Sequence, residues 1–372
     1  MISQIHFYLA HELVHQFFGN AVLIDFWDHL WLIEGFTSLL EYPFAGKLFP
    51  DWRDRDFFNV IRLQLAFKDD ESDTAPAMTE HAETIEEIER NFGIIAYDKA
   101  GSVLRMFEHI LSPPVFQRCL QHYLKTNHRK VVTPTNLYQA FETILSEINF
   151  QGMNFTDAFQ TWELQKGYPV IHVRYNKNMR QFHVTQKKFL IDSRLREDAN
   201  STWTIPLNFA TSQGADFENT KFDIFFEKST EEKIIQVEVE PEWFVFNKQQ
   251  VGYYRVNYDL ENWNNIIKLL NSENFNAIHV LNRAQLVDDA LSFAQAGLID
   301  QSLASSVLMY LKLETDYIPW EAATPHLNQL YDLFGGRNQE INVSGFGFVR
   351  KLCQSCSVNF KLLSLECPKH PD

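Results

Sequence analysis

HELVHQFFGNAVLIDFWDHLWLIE, residues 11–34, is the stretch from which the rest of the chain can be read. His11 and His15 are four positions apart, so a helix presents both imidazoles on one face, with Glu12 between them in sequence. Eighteen residues separate His15 from Glu34, which opens a second helical pattern (EGFTSLLEY) at a spacing that allows an antiparallel return. Two neutral imidazoles and one carboxylate are the usual ligand set of a catalytic Zn²⁺, with the fourth position left for water. The expected ligands are therefore His11, His15 and Glu34, holding one Zn²⁺ per chain. Glu12 is placed to take a proton from that water. The bland alternative is a charged helix with two surface histidines. It fits poorly, because the histidines lead into an aromatic run rather than a polar one.

Composition sets the frame for this motif. At 372 residues the chain is long enough for two or three domains. Hydrophobic residues make up 45% and charged residues 22%, so a large core can be buried; phenylalanine, at 32, is unusually frequent. The formal net charge of −15 argues against a nucleic-acid partner, since phosphate binding needs a basic face. No run of about 18 or more apolar residues predicts a membrane span. The first residues lack the basic segment of a secretory signal. Four cysteines are too few for a disulfide framework. Sequons occur at Asn154, Asn200 and Asn342.

HELVHQFFGN followed by FWDHLWLIEGF resembles the zinc signature of the gluzincin aminopeptidases, the family of aminopeptidase N, which reads H-E-x-x-H-Q-W-F-G-N and then W-W-x-D-L-W-L-N-E-G-F. Ile33 stands where the family has Asn and His29 where it has Asp; the ligand and base positions match. A second segment, GIIAYDKAGSVLRM (93–106), resembles Y-x-K-G-A-S-V-L-R-M, with the Gly-Ala order reversed to Ala100-Gly101. By that match Tyr97 is the residue whose hydroxyl donates to the oxyanion of the tetrahedral intermediate. Trp162 to Val170 resembles the junction W-x-x-Q-x-G-Y-P-V. VGYYRVNYD, NRAQLVDDAL and YLKLETDYIPWEA resemble the start of the family's C-terminal helical domain. The likeness covers about residues 5–330. The family's G-x-M-E-N motif, whose Glu holds the substrate's α-amine, is absent, so the resemblance implies a chain truncated at both ends.

Taken in order, the chain predicts a zinc helix starting almost at Met1 and a second helix from Glu34 to Phe49. Glu41, two turns after Glu34 and on the same face, is a candidate hydrogen-bond partner for a zinc-bound imidazole. A helical pattern over Trp52–Phe67 and a polar loop over 68–83 follow. Thr84 with Glu87 is a capping-box signal for the next helix. Amphipathic segments Pro113–Tyr123 and Thr133–Leu145 come next, with Pro134 suited to a first turn. Gly167-Tyr168-Pro169 marks a boundary. VIHVRY, QFHVTQ, WTIPLNFAT, IIQVEV, WFVFN and GYYRVNY then read as strands of a small β-sandwich. Helical periodicity resumes from Asp259. In the tail, Cys353-x-x-Cys356 with Cys367 and His370 has the spacing of a structural zinc site, with a divergent tail as the bland alternative.

The fold class expected is multidomain α plus β. It comprises the helical half of a thermolysin-like catalytic domain (1–168), a β-sandwich (169–258), the start of an α-helical C-terminal domain (259–334) and a divergent tail (335–372). The function expected is a zinc-dependent metallo-aminopeptidase acting on peptides. Cleavage at the N-terminus is implied by the resemblance alone. The competing reading is a homologue that holds zinc or peptide without turnover, which the missing β-rich wall of the cleft and the Ile33 and His29 departures favour. An endopeptidase of the same zinc class is a third reading. The family implies a cell-surface or extracellular setting, with a cytoplasmic one as the alternative.

Overall fold

The computed structural model describes residues 2–48, 52–192, 194, 201–222 and 224–335. It is a mixed α and β chain that divides into two compact units, Met1–Trp263 and Asn264–Asp372.

The first unit opens with helix α1 (Ile2–Val14), which carries the paired histidines. Its inner face buries Ala10 and Val14, while Ile5, Tyr8, Leu9 and Leu13 are exposed on the outer one. A short strand, β1 (Val22–Ile24), leads to α2 (Trp31–Leu48), three residues ahead of the start read from the sequence. α3 (Asp54–Phe58) and α4 (Gln64–Asp70) are joined by a π-helical turn over Asn59–Leu63. α5 (Ile85–Asn91) starts at the expected capping box: Thr84 accepts from the Glu87 N–H and the Glu87 carboxylate accepts from the Thr84 N–H.

A second π-helical turn, Ile95–Lys99, runs into α6 (Ala100–Leu111). α7 (Pro113–Thr126), β2 (Lys130–Val132), α8 (Pro134–Glu147) and α9 (Phe155–Glu163) complete the helical part. β2 pairs in parallel with β1, Leu23 opposite Val131. Such short strands separated by six α-helices leave no local signal, and the sequence did not predict them. Phenylalanine fills this core: Phe107, Phe141, Phe155 and Phe159 pack with ring centroids 4.6–5.6 Å apart.

The β part follows at once. β3 (Pro169–Asn176) and β4 (Gln181–Lys188) form an eight-residue antiparallel ladder. β5 (Ile205–Leu207), β6 (Phe209–Thr211), β7 (Ile224–Phe226), β8 (Glu232–Gln236), β9 (Phe244–Phe246) and β10 (Arg255–Tyr258) complete the set. One sheet has the order β10-β3-β4-β8, and β5-β7 and β6-β9 form two separate pairs. β7 was not anticipated; three residues are too few to show alternation. Phe182, Phe244 and Phe246 are buried against one another, so the strand aromatics belong to the core.

α10 (Leu260–Leu270) carries the chain across the boundary between units. In the second unit α11 (Val280–Gln295), α12 (Gln301–Leu308) and α13 (Tyr317–Gly335) pack together, with α11 against both others. Arg283 on α11 makes a forked ion pair with the buried Glu314. Among the described residues no helix is long and apolar enough to cross a membrane. The Cys353, Cys356, Cys367 and His370 pattern, with Asn200 and Asn342, lies outside the described residues.

Candidate metal centre

Two helices and a π-helical turn converge on the histidines. α1 packs antiparallel to α2 as the spacing from His15 to Glu34 requires, and α2 packs on α6. The α2–α6 crossing is made close by glycine. A Cβ on Gly35 would lie 2.6 Å from the Ala100 Cβ, and one on Gly101 would lie 3.2 Å from the Ser38 Cβ. This approach brings Tyr97, at the start of the α6 side, over Glu34.

Among the described residues one group of His, Cys, Asp or Glu has its donor atoms gathered as for a metal: His11, His15 and Glu34, all within 4.8 Å of one another. The His11 Nε2 is 3.4 Å and the His15 Nε2 3.5 Å from the Glu34 Oε2. Four-coordinate zinc with bonds of about 2.0–2.2 Å separates its ligand atoms by about 3.3–3.6 Å.

The hydrogen bonds fix which nitrogens face the site. His11 Nδ1 donates to the Glu41 Oε2 at 2.9 Å, and His15 Nδ1 donates to the Phe18 carbonyl at 3.0 Å. Both Nε2 atoms therefore turn lone pairs toward the Glu34 Oε2, which is buried and has no hydrogen-bond partner. Two lone pairs and a carboxylate oxygen in contact, all without donors, suit a cation at their centre. The electrostatics agree. Burial works to lower the His11 pKa, but the Glu34 and Glu41 carboxylates beside the ring outweigh it and raise the imidazole to about 9. The site stabilises positive charge.

Glu12 follows His11 on α1 and is exposed, open to a reactant. Tyr97 is half-buried, its ring parallel to that of His11 at 6.2 Å. Burial first, then the Glu34 charge and hydrogen bond and the Glu12 charge, push its phenol above the ordinary tyrosine value, so it stays protonated and can donate. Glu41 is buried on α2, and its second oxygen accepts from the Arg62 Nη2 at 2.5 Å. Arg62 also donates to the Asp98 Oδ1 at 2.8 Å. All six residues singled out in the sequence thus lie in one cluster. Arg62 and Asp98, which complete it, were not singled out. Asp98 is next to Tyr97, but nothing local marks Arg62.

The Peptidase family M1 domain profile matches residues 2–162, and the ERAP1-like C-terminal domain profile matches residues 243–361. Aminopeptidase N of Plutella xylostella is 38% identical over 332 residues, covering 88% of this chain and 35% of the relative. Human glutamyl aminopeptidase is 32% identical over 334 residues, covering 88% and 33%. Human thyrotropin-releasing hormone-degrading ectoenzyme is 31% identical over 331 residues, covering 87% and 31%. The chain belongs to peptidase family M1. It spans about a third of the length of these M1 relatives.

Within that family the two departures acquire a structural meaning. Ile33 does not leave His15 without a partner, since the Phe18 carbonyl holds its Nδ1. Instead the Ile33 side chain packs near Gly19 in the turn that follows α1. His29 is turned to Asp25, with Nδ1 2.7 Å from Oδ1, and makes no bond to the three gathered ligands.

Proposed function

We propose that this chain is a zinc metallopeptidase that removes N-terminal residues from peptides. The observation that carries the proposal is the meeting of two Nε2 lone pairs and the partnerless, buried Glu34 Oε2 at zinc-ligand spacing. His11, His15 and Glu34 would hold the ion, with Glu41 fixing the His11 ring from behind.

The bound zinc would supply acidification of water and polarisation of the scissile carbonyl. The remaining work falls to side chains. Glu12, exposed beside His11, takes the proton of the attacking water and passes it to the leaving amine. Tyr97, kept protonated by burial and by the carboxylates beside it, donates to the oxygen that gains charge in the tetrahedral intermediate.

The aminopeptidase names of the relatives support cleavage at the N-terminus and a peptide substrate. The names membrane alanyl aminopeptidase and ectoenzyme support a cell-surface or extracellular setting. The two profile matches support a layout in which residues 1–168 are the helical half of a thermolysin-like catalytic domain, 169–258 a β-sandwich and 259–334 the start of a helical C-terminal domain.

The test is zinc content together with hydrolysis of aminoacyl-anilides, on this chain and on Glu12→Gln. One zinc per chain is expected in both proteins, with turnover lower in the variant by about 10²–10⁴-fold. A chain that binds no zinc sinks the proposal; zinc without turnover reduces it to a metal-holding protein.

A further inference from the structure

We propose that Arg62 is a positioning residue. It locks the metal ligand His11, through Glu41, to the π-helical turn that carries Tyr97, through Asp98, so that metal affinity and placement of the oxyanion donor are coupled. This rests on the zinc-site reading above.

The geometry is a chain of charge-assisted bonds across four segments. His11 Nδ1 donates to the Glu41 Oε2 at 2.9 Å; the Arg62 Nη2 donates to the Glu41 Oε1 at 2.5 Å; the Arg62 Nη1 donates to the Asp98 Oδ1 at 2.8 Å. Glu41 and Asp98 are almost fully buried, at 1% and 3% exposure, so each needs a cation, and the guanidinium fork serves both. Burial works against the Arg62 charge, but Asp98 and Glu41 more than offset it and hold the arginine protonated.

A second observation points the same way. Arg62 and Asp98 both sit on π-helical turns, closed by the Gln64 N–H to the Asn59 carbonyl and by the Ala100 N–H to the Ile95 carbonyl. Each turn holds one residue more than an α-helical turn, which re-aims the side chains that follow. Such turns are rare and are frequent at functional sites. The two turns touch each other directly here, and the one that carries Asp98 also packs on α2, the helix that carries Glu34 and Glu41. Arg62 touches neither the ligand atoms nor the space before Tyr97. Its effect is to keep Glu41 aimed at His11 and to anchor the turn around Tyr97.

The test is zinc affinity of the whole chain, read by competition with a chromophoric chelator, for wild type, R62M, R62K, E41Q and R62M/E41Q. R62M is expected to weaken zinc about 10–100-fold, the usual effect of losing a ligand's hydrogen-bonded support. R62K is expected to recover only part of this, because one ammonium cannot fork onto two carboxylates. The double variant is expected to bind zinc no more weakly than E41Q, since Arg62 acts through Glu41. On the tyrosine side, D98N is expected to lower kcat in the wild-type background and to leave it unchanged in Y97F.

Wild-type zinc affinity in R62M, or additive losses in R62M/E41Q, would overturn the inference while leaving the metal site standing. If R62M does not fold, R62K decides, and an affinity equal to wild type overturns the coupling. A wild-type chain without zinc overturns both readings.

Discussion

Two ionic clusters leave the same π-helical turn in opposite directions. Asp98 joins Arg62 and Glu41 and ends on His11. Its neighbour Lys99 joins Asp70 at 2.8 Å, both fully buried, and this second cluster closes on itself. The Lys99 Nζ donates to the Gly167 carbonyl, and the Asp70 carboxylate accepts from the Gly167 N–H and the Tyr253 hydroxyl. Every member of the Lys99 cluster has protein partners on all sides, and it ties α4 and the π-helical turn to the first residues of the β part. The Arg62 cluster instead ends at an imidazole whose far nitrogen faces an unpartnered carboxylate oxygen. The two use the same chemistry. A network that satisfies itself supports the fold, while one that leaves an atom open is set up to receive a ligand.

The comparison predicts a separation of effects, largest on the closed side. Lys99→Met leaves Asp70 as a buried charge without its cation, which costs about 3–5 kcal/mol of stability. The thermal midpoint should fall by many degrees while the folded fraction keeps its zinc. Equal midpoints for the variant and wild type would contradict a structural role for that pair. On the open side, Tyr97→Phe removes one donor at the developing oxyanion, and kcat should fall by about 10²–10³-fold, equivalent to about 2.7–4 kcal/mol of barrier. Its midpoint should stay close to wild type, because the half-buried phenol lies at the mouth of the site. Loss of stability without loss of turnover would reverse the assignment.

The hinge between the two clusters is the α2–α6 crossing, which invites a smaller intervention. In Gly35→Ala the new Cβ would sit 2.6 Å from the Ala100 Cβ, so one helix must move. Overpacking of this kind costs about 1–3 kcal/mol. Because the same crossing places Tyr97 over Glu34, turnover should fall alongside stability. Gly101→Ala meets the Ser38 Cβ at 3.2 Å and should be milder on both counts. If Gly35→Ala lowers the midpoint but leaves kcat unchanged, the crossing does not set the position of Tyr97.

These contrasts also mark what the sequence could convey. His11, His15 and Glu34 are legible because ligand chemistry and helical period are both local, and Glu41 follows from Glu34 by two turns. Arg62 is not legible, since its role comes from a helix crossing that no spacing encodes. The two π-helical turns are equally hidden: one extra residue in a turn leaves the apolar period nearly intact, so Trp52–Phe67 read as one plain helix. In the β part, the long β3–β4 ladder shows its alternation, whereas β7 and the β1–β2 pair are three-residue strands stabilised by distant partners. The motif marks α2 only from Glu34, whereas the helix begins at Trp31. Trp31 is in fact fully buried, with its indole N–H held by the Thr79 hydroxyl.

That tryptophan leads to another buried carboxylate, which sharpens the comparison because it makes no ion pair among the described residues. The Thr79 hydroxyl donates to the Glu163 Oε1 at 2.6 Å, while the Oε2 is buried without a hydrogen-bond partner. Burial raises the Glu163 pKa to about 7, against the weaker opposing effects of the Thr79 hydrogen bond, the His29 charge and the Trp31 N–H. A carboxyl whose folded pKa is raised binds its proton more tightly in the folded state. Its contribution to stability is complete below the unfolded value near 4.5 and is lost as pH rises through about 7. The slope across that window is at most about 1.4 kcal/mol per pH unit. Glu163→Gln keeps an acceptor for Thr79 and cannot ionise, so thermal midpoints measured from pH 4.5 to 7.5 should decline less steeply than in wild type, and the variant should be the more stable protein at the alkaline end. Parallel curves would mean that Glu163 does not change its charge across this window, and that burial alone does not hold its proton.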